Sequence, residues 1–498
     1  MYIPAYAGRT GSRNIQPYAR PTYAWLSNLL LMPPKHGELA LKQPKLLCVT
    51  LSLMEWKASQ RRKPLLIRGA RQVGKSSAVR HFGKEFKYFV EINLESQPSI
   101  RGLFSKDIDV HRTCESISAT TGIPVIPGET LLFIDEIQVS QEAIMSLRYF
   151  KEDYPELHVI AAGSLLEFTL EELPSFGVGR IRSLYMYPFS FDEFLMAQGL
   201  DTTVSYKQQA SPSSPLPEAV HNKLVDQLKT FYLVGGMPAA VTEWIETNSY
   251  IECAHVHNDI LDTYQDDFAK YKSRVSPALL RKVLRSVALQ AGSKFVYRQV
   301  ADDVHSSVIK DALHLLTLAG LIKPVTHSDG NGVPLGAEEN DSYRKYLFLD
   351  LGLMQTMLGT PAANVLLASN VDFVNKGAAS EMFAGLELVK NHDCFQKAEM
   401  YYWQNLSRGA NAEIDFLEAK DGMVLPIEVK ATTRGSMQSL WLFMRKKALH
   451  HAVRTSLENF GEFEYVDKES QDAIRHVDVI PLYAMSNLCK LSVDTEMK

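Results

Sequence analysis

Apolar positions along this chain follow two rhythms, and the switches between them mark its elements. Short continuous apolar runs at residues 64–67, 131–134 and 158–162 are flanked by polar or glycine-bearing segments. Such runs suit parallel strands buried on both faces. Residues 88–94 and 181–187 predict two more strands, and residues 76–86 after the first run are helix-compatible. A Ser/Pro stretch over 211–217 predicts a loop, and residues 224–232, 239–246 and 256–270 read as helices around the Gly235-Gly236 turn. Residues 296–304 read as a short helix, followed by a turn at His305-Ser306. Residues 308–319 form a second helix with an apolar face through Ala312, Leu315, Leu316 and Ala319, closed by Gly320 before a strand. Residues 379–389 predict another helix. Tyr401-Tyr402-Trp403 leads into a strand at 412–417, and Asp421-Gly422 turns the chain into 425–430. An Asp-Gly pair between alternating apolar runs is a strong hairpin signal.

The first apolar run ends in Gly69, Ala70, Arg71, Gln72, Val73, Gly74, Lys75, Ser76 and Ser77, which contain a full G-x-x-x-x-G-K-[ST] loop. Its glycines let successive backbone N–H groups point at a phosphate, and the N-terminus of the following helix attracts the same charge. Lys75 is expected to reach the β- and γ-phosphates and Ser76 to ligate Mg²⁺. A nucleoside triphosphate, ATP, is the implied ligand. The bland reading, a glycine turn with an exposed lysine, does not account for the strand before the loop and the helix after it.

The run at 131–134 ends in Asp135 and Glu136. Asp135 is expected to order the Mg²⁺ water shell, and Glu136 to polarise the water that attacks the γ-phosphate. Residues 88–94 lie between the two motifs, and an intervening strand plus a Glu beside the magnesium Asp is the arrangement of the additional-strand, catalytic-glutamate division of P-loop ATPases. Residues 158–162 lead to Gly163 and Ser164; Ser164 is the candidate sensor of the γ-phosphate, or the N-cap of the next helix. Gly177, Gly179 and Arg180 precede the fifth strand. Arg180 reads as a surface ion pair or as a γ-phosphate contact, in cis or from a neighbour. Arg71 is the other cation able to face phosphate, whereas Arg80, Lys84 and Lys87 read as solvent-facing helix charges.

The strings from Leu65 to Lys75, Phe133 to Gln138, Ala162-Gly163-Ser164, Tyr187 to Phe194 and Gly235 to Pro238 resemble those of one family. These are the prokaryotic AAA-type ATPases with a C-terminal domain of unknown function, and the likeness spans residues 46–450. Ser76 stands where many relatives carry Thr, a conservative change for Mg²⁺ ligation. The resemblance implies an architecture more than a role, including a small helical bundle that closes over the nucleotide.

Helix, turn, second helix, Gly stop and strand over 295–327 is the order of a winged helix. Its second helix offers Lys310 as its one firm cation, with Asp311, Asp302 and Asp303 close by, whereas phosphate contact needs several Lys or Arg. Packing or protein contact is therefore the favoured use. In the C-terminal hairpin, Asp415 on one strand and Glu428-x-Lys430 on the next match the restriction-endonuclease-like signature. Its two carboxylates hold Mg²⁺, and its Lys stabilises charge near the attacking water. Glu381, on the preceding helix, fits the helix acid that some members add. Surface charges alternating with core residues are the competing reading, and Arg434, Arg445, Lys446 and Lys447 either grip phosphate or form a solvated face.

The expected fold is α/β: a disordered extension over 1–45, a P-loop ATPase core over 46–200 and a helical lid over 201–275. A winged-helix-like segment over 276–335 and a restriction-endonuclease-like domain over 336–498 complete it. The extension, rich in Tyr, Pro, Arg and Gly, also fits an upstream mis-start with Met54 as the true beginning. Net charge adds a constraint: at −4 it gives no global pull toward nucleic acid or anionic membrane, so DNA contact needs a local patch. The scattered cysteines Cys48, Cys114, Cys253, Cys394 and Cys489 lack a C-x-x-C pair and point to a reducing cytoplasm rather than zinc or disulfides. No apolar run approaches the roughly 18 residues of a membrane span, and Pro33-Pro34 after the run 25–32 argues against a signal peptide. Partners are accordingly ATP, DNA through the C-terminal domain, and a protein or a second copy of the chain, with no membrane. Three functions follow as expectations: an Mg²⁺-dependent ATPase driving a nuclease-like domain, an ATP-controlled DNA-processing nuclease, or a slow nucleotide-dependent switch.

Overall fold

The computed structural model describes residues 47–104, 109–173, 179–271, 275–361, 377–408, 411–430 and 437–491. Residues 1–45, Gly177 and Arg434 lie outside them. β1 (Leu65–Arg68), β2 (Tyr88–Asn93), β3 (Thr130–Asp135), β4 (His158–Ala162) and β5 (Arg182–Tyr185) form a parallel sheet in the order β2-β3-β4-β1-β5. Alternation sends Leu65, Ile67, Leu131, Phe133, Ile160 and Ala162 into one core and Leu66, Leu132, Ile134, Val159 and Ala161 into another. Both faces are covered, which is why these strands read as unbroken apolar runs. β4 lies between β1 and β3, so the carboxyl ends of three adjacent strands carry the phosphate loop, Ser164 and the acid pair.

The helices Glu218–Val234, Pro238–Thr247 and Tyr250–Asp267 follow, the last continuing into a 3₁₀ turn over Phe268–Lys270. Two of the quoted family strings meet here. The Phe189 N–H donates to the Gly236 carbonyl at 2.7 Å, and the Gly236 N–H donates to Asp350 at 2.6 Å. Glu387, on the helix Gly377–Asn391, accepts the Phe191 N–H at 3.2 Å, so these strings join the ATPase sheet to the C-terminal half. The Tyr187–Phe194 and Gly235–Pro238 strings thus carry the junction between the two sheets.

The expected helix at 296–304 is absent: only Tyr297–Gln299 makes a 3₁₀ turn. The helix ahead of Ser306–Leu318 is Pro277–Leu289, capped by Ser276 and started by Pro277. Val296, Val300 and Val304 stand at helical spacing, but all three are β-branched, which lowers helix propensity. β6 (Ile322–Ser328) and β7 (Glu339–Phe348) then pair antiparallel, so the boundary expected at 335/336 falls inside one hairpin. That hairpin enters a mixed eight-stranded sheet with β8 (Met400–Gln404), β9 (Glu413–Lys420), β10 (Met423–Val429), β11 (His451–Ser456), β12 (Gly461–Asp467) and β13 (Ala473–Pro481). Its order is β12-β13-β11-β10-β9-β8-β6-β7. The Asp421-Gly422 hairpin forms as the sequence signals, with Asp421 at φ 50° and Gly422 at φ 79°.

Candidate nucleotide site and C-terminal acid cluster

Gly69 leaves β1 at φ 145°, and a Cβ there would collide with the Met186 carbonyl, so only glycine fits this exit. Val73 is buried in the core while Gln72 and Ser77 are exposed, so the loop offers its backbone to a ligand and anchors itself from below. Gly74, at φ 93°, turns directly into the helix Lys75–Gly83. The Lys75 ammonium is buried and bonds the carbonyls of Gly69 and Ala70 at 2.8 and 2.7 Å. Burial pulls it down to about 8, with Glu136 and Asp135 opposing that shift.

Ser76 Oγ donates to Asp135 Oδ2 at 2.9 Å, across the gap between β1 and β3. Burial pushes the Asp135 carboxyl upward, against the hydrogen bonds from Ser76 and the Glu136 amide. A hydroxyl and a carboxylate side by side beside the loop form the hard oxygen donor set that suits Mg²⁺. Glu136 stands in the left-handed region at φ 51°. Its carboxylate accepts Ser164 Oγ at 3.0 Å and Gln138 Nε2 at 2.6 Å. Ser164 does not cap a helix: the next one, Leu166–Glu172, starts at Leu165 without a side-chain cap, and the Ser164 hydroxyl is engaged by Glu136.

The two candidate arginines are each engaged by an acid. Arg71 turns to Asp267, at 2.9 Å, and its carbonyl accepts the Tyr264 hydroxyl at 2.8 Å, so the loop is tied to the end of the helix Tyr250–Asp267. Arg180 is ion-paired with Glu152. It precedes Arg182, which is level with Leu65 at the start of β1. The phosphate loop leaves the other end of that strand, three residues or roughly 10 Å away. The structure does not bring Arg180 to the phosphate loop of its own chain. Arg80, read as an ordinary surface charge, pairs with Glu91 at 2.7 Å and approaches Asp135 to 4.0 Å. Gln138, Tyr264 and Asp267 carried no role in the sequence reading. Gln138 sits two residues past Glu136 and was open to inspection, whereas Tyr264 and Asp267 arrive through tertiary packing.

In the C-terminal sheet, one oxygen each of Glu381, Glu413 and Asp415 lies within 4.8 Å of the others. Pairing of β8 with β9 advances two residues against three between Tyr401 and Trp403, which makes a bulge at Asp415. Past the last β9–β10 pair, Asp415 Oδ2 accepts the Val429 N–H at 2.7 Å in place of a ladder carbonyl. Glu428 is buried, ion-paired with Lys430, and keeps Oε2 without a hydrogen-bond partner. Burial and the nearby Asp415 push its carboxyl up to about 8. Glu381, also pushed up by burial to about 7, bonds the Lys345 ammonium at 2.8 Å. Lys345 also pairs with Glu413, and although burial works against its charge, Glu381, Asp415 and Glu413 together hold it well above the usual lysine range. The sequence reading missed both residues. Glu413 was accessible, two positions from Asp415 on the same strand; Lys345 enters from β7 and carried no local signal.

The chain's matches agree with this layout. Residues 61–195 match the family described as AAA domain, residues 225–364 a domain of unknown function (DUF8612), and residues 376–484 a domain of unknown function (DUF4143). No curated protein matches the chain. Among solved structures, the Aeropyrum pernix ORC1 protein in complex with DNA is 12% identical, with a TM-score of 0.28, over 65% of this chain and 95% of its own. Drosophila ORC bound to DNA is 13% identical, with a TM-score of 0.25, over 62% and 94%. The S. cerevisiae Hsp104-ADP complex is 15% identical, with a TM-score of 0.25, over 54% and 37%. Among the described residues no helix is long and apolar enough to cross a membrane. The chain thus carries an AAA domain over residues 61–195 and, over residues 376–484, a C-terminal domain of unknown function, the arrangement of the AAA-type P-loop ATPases that its motifs resemble.

Proposed function

We propose that this protein binds ATP with Mg²⁺ and hydrolyses it. The observation that carries the reading is the Ser76–Asp135 pair at 2.9 Å beside the phosphate loop, with Glu136 held next to it by Ser164. Bound Mg²⁺ would neutralise phosphate charge, with Ser76 and Asp135 as its protein oxygens. Lys75, drawn from the Gly69 and Ala70 carbonyls, pairs with phosphate. Glu136 accepts a proton from the attacking water, and Ser164 holds the Glu136 carboxylate in position. Lys75→Ala should abolish phosphate release from ATP by the purified protein; equal release by wild type and variant would refute the enzymatic reading.

The grouping of Glu381, Glu413 and Asp415 oxygens favours a second reading, a DNA-processing C-terminal domain of restriction-endonuclease-like fold under ATP control. The winged-helix order of Pro277–Leu289, Ser306–Leu318 and the β6–β7 hairpin supports a module that passes nucleotide state to it. Lys345 weighs against a competent metal site, because its ammonium already supplies positive charge among the three acids. Where that charge persists, the domain serves as a switch or scaffold for a protein partner. Incubation with DNA and Mn²⁺ separates the two: cleavage lost in Asp415→Asn supports the nuclease, and none by wild type on several substrates rejects it.

A further inference from the structure

A second group of metal-ligating side chains sits at the far edge of the eight-stranded sheet, where β12, β13 and β11 lie side by side. Register sets His451 opposite His476, and Glu462 opposite Asp478. His476 and Asp478 are two apart on one strand and share a face, and their cross-strand partners join them there. His451 Nε2 is 2.7 Å from Asp478 Oδ2. His476 Nε2 is 3.2 Å from Asp478 Oδ1 and 3.9 Å from Glu462 Oε2. The imidazole centroids are 5.1 Å apart. Asp478 is buried and Glu462 exposed, so the group has a fixed floor and an open side.

This group is separate from the Glu428–Lys430 pair. Ile427 on β10 is level with Val453 on β11, and Val453 shares its face with His451, so Glu428 projects from the opposite face. Charge and geometry both favour a cation. Two imidazoles converge on one buried carboxylate, and a second carboxylate stands at the rim. Imidazole with carboxylate suits zinc-class divalent ions, whereas all-oxygen groups such as Ser76 with Asp135 suit Mg²⁺.

We propose that His451, His476, Asp478 and Glu462 bind one zinc-class divalent cation. The neutral imidazoles bind through Nε2 with their protons carried on Nδ1, and Asp478 exchanges its imidazole hydrogen bonds for the cation. Bound there, the ion ties the edge strand β12 to β13 and β11, independently of nucleotide. Edge strands lack a partner on one side, and a cross-strand tie of this kind holds such an edge in place.

The test uses the full chain, stripped with chelator and then titrated with Zn²⁺ without nucleotide, with bound metal counted after desalting. Co²⁺ replaces Zn²⁺ in a parallel titration to read the ligand field by visible absorption. Wild type should retain one equivalent that His451→Ala/His476→Ala loses, while Glu413→Gln/Asp415→Asn keeps it. Glu462→Gln, at an exposed position that leaves folding intact, should weaken binding roughly 10-fold. Equal Zn²⁺ retention and identical Co²⁺ spectra in wild type, the double histidine variant and Glu462→Gln would overturn the site. Retention lost only in Glu413→Gln/Asp415→Asn would also overturn it, by moving the metal to the acid cluster.

Discussion

Glu136 holds a left-handed backbone conformation that costs a non-glycine residue of order 1–3 kcal/mol, and its carboxylate is braced by Ser164 and Gln138. Strain held at such a point fits a residue whose carboxylate must be placed, not merely present. Glu136→Gln should therefore keep ATP binding and lower hydrolysis by roughly 10²–10⁴-fold, measured as retained radiolabelled ATP against phosphate release. Lys75, pulled by burial to about 8, is largely neutral above that pH in the free protein and becomes charged against phosphate. ATP binding near pH 9 should then take up a proton that Lys75→Met does not, read by calorimetry in buffers of different ionisation enthalpy. Glu428 gives a stability effect of defined sign. Its carboxyl is raised from 4.5 to about 8, so the unfolded chain releases this proton first as pH rises. Its contribution is full below pH 4.5 and lost as pH climbs through about 8. The fall in wild-type melting temperature across that window should be smaller in Glu428→Gln.

Elements whose chemistry is local were legible before the structure. The loop after β1, the acids after β3 and the Asp421-Gly422 hairpin depend on neighbours in sequence, and each lies where its pattern pointed. Elements that answer to distant contacts were not. The valines of 296–304, set at helical spacing, could not announce that the chain makes only a 3₁₀ turn there, and Ser164 looked like a cap because Glu136, its partner, is 28 positions away. Gly320 shows the same coupling between elements. It ends the helix Ser306–Leu318 at φ 75°, and a Cβ there would meet the Ala70 Cβ at 3.2 Å, so the hairpin module rests on the back of the phosphate loop. Gly320→Ala should destabilise the protein by more than about 1 kcal/mol in denaturant titration, since neither backbone nor space accepts a side chain. An unchanged midpoint would show that this packing gives way freely.

At the scale of the molecule, the two sheets share one hydrophobic core, and the family strings around Phe189 and Gly236 are its joints. Arg180 sits at the sheet end opposite its own phosphate loop, so any part it plays in hydrolysis comes from a neighbouring copy. If Arg180→Ala loses hydrolysis, mixing it with Lys75→Ala should restore part of the rate, because one copy supplies the loop and the other the arginine. No recovery on mixing would remove the intermolecular role. The sequence alone determined the phosphate loop, the acid pair and the parallel-strand rhythm, because each is a short-range pattern of backbone freedom, charge and burial. Tertiary structure alone decided that β4 carries Ser164 to Glu136, that Arg71 answers to Asp267, and that Lys345 enters the acid cluster. It also gathered His451, His476, Asp478 and Glu462 from three strands. Strand order and register set those meetings, and neither is written in any one segment of the chain.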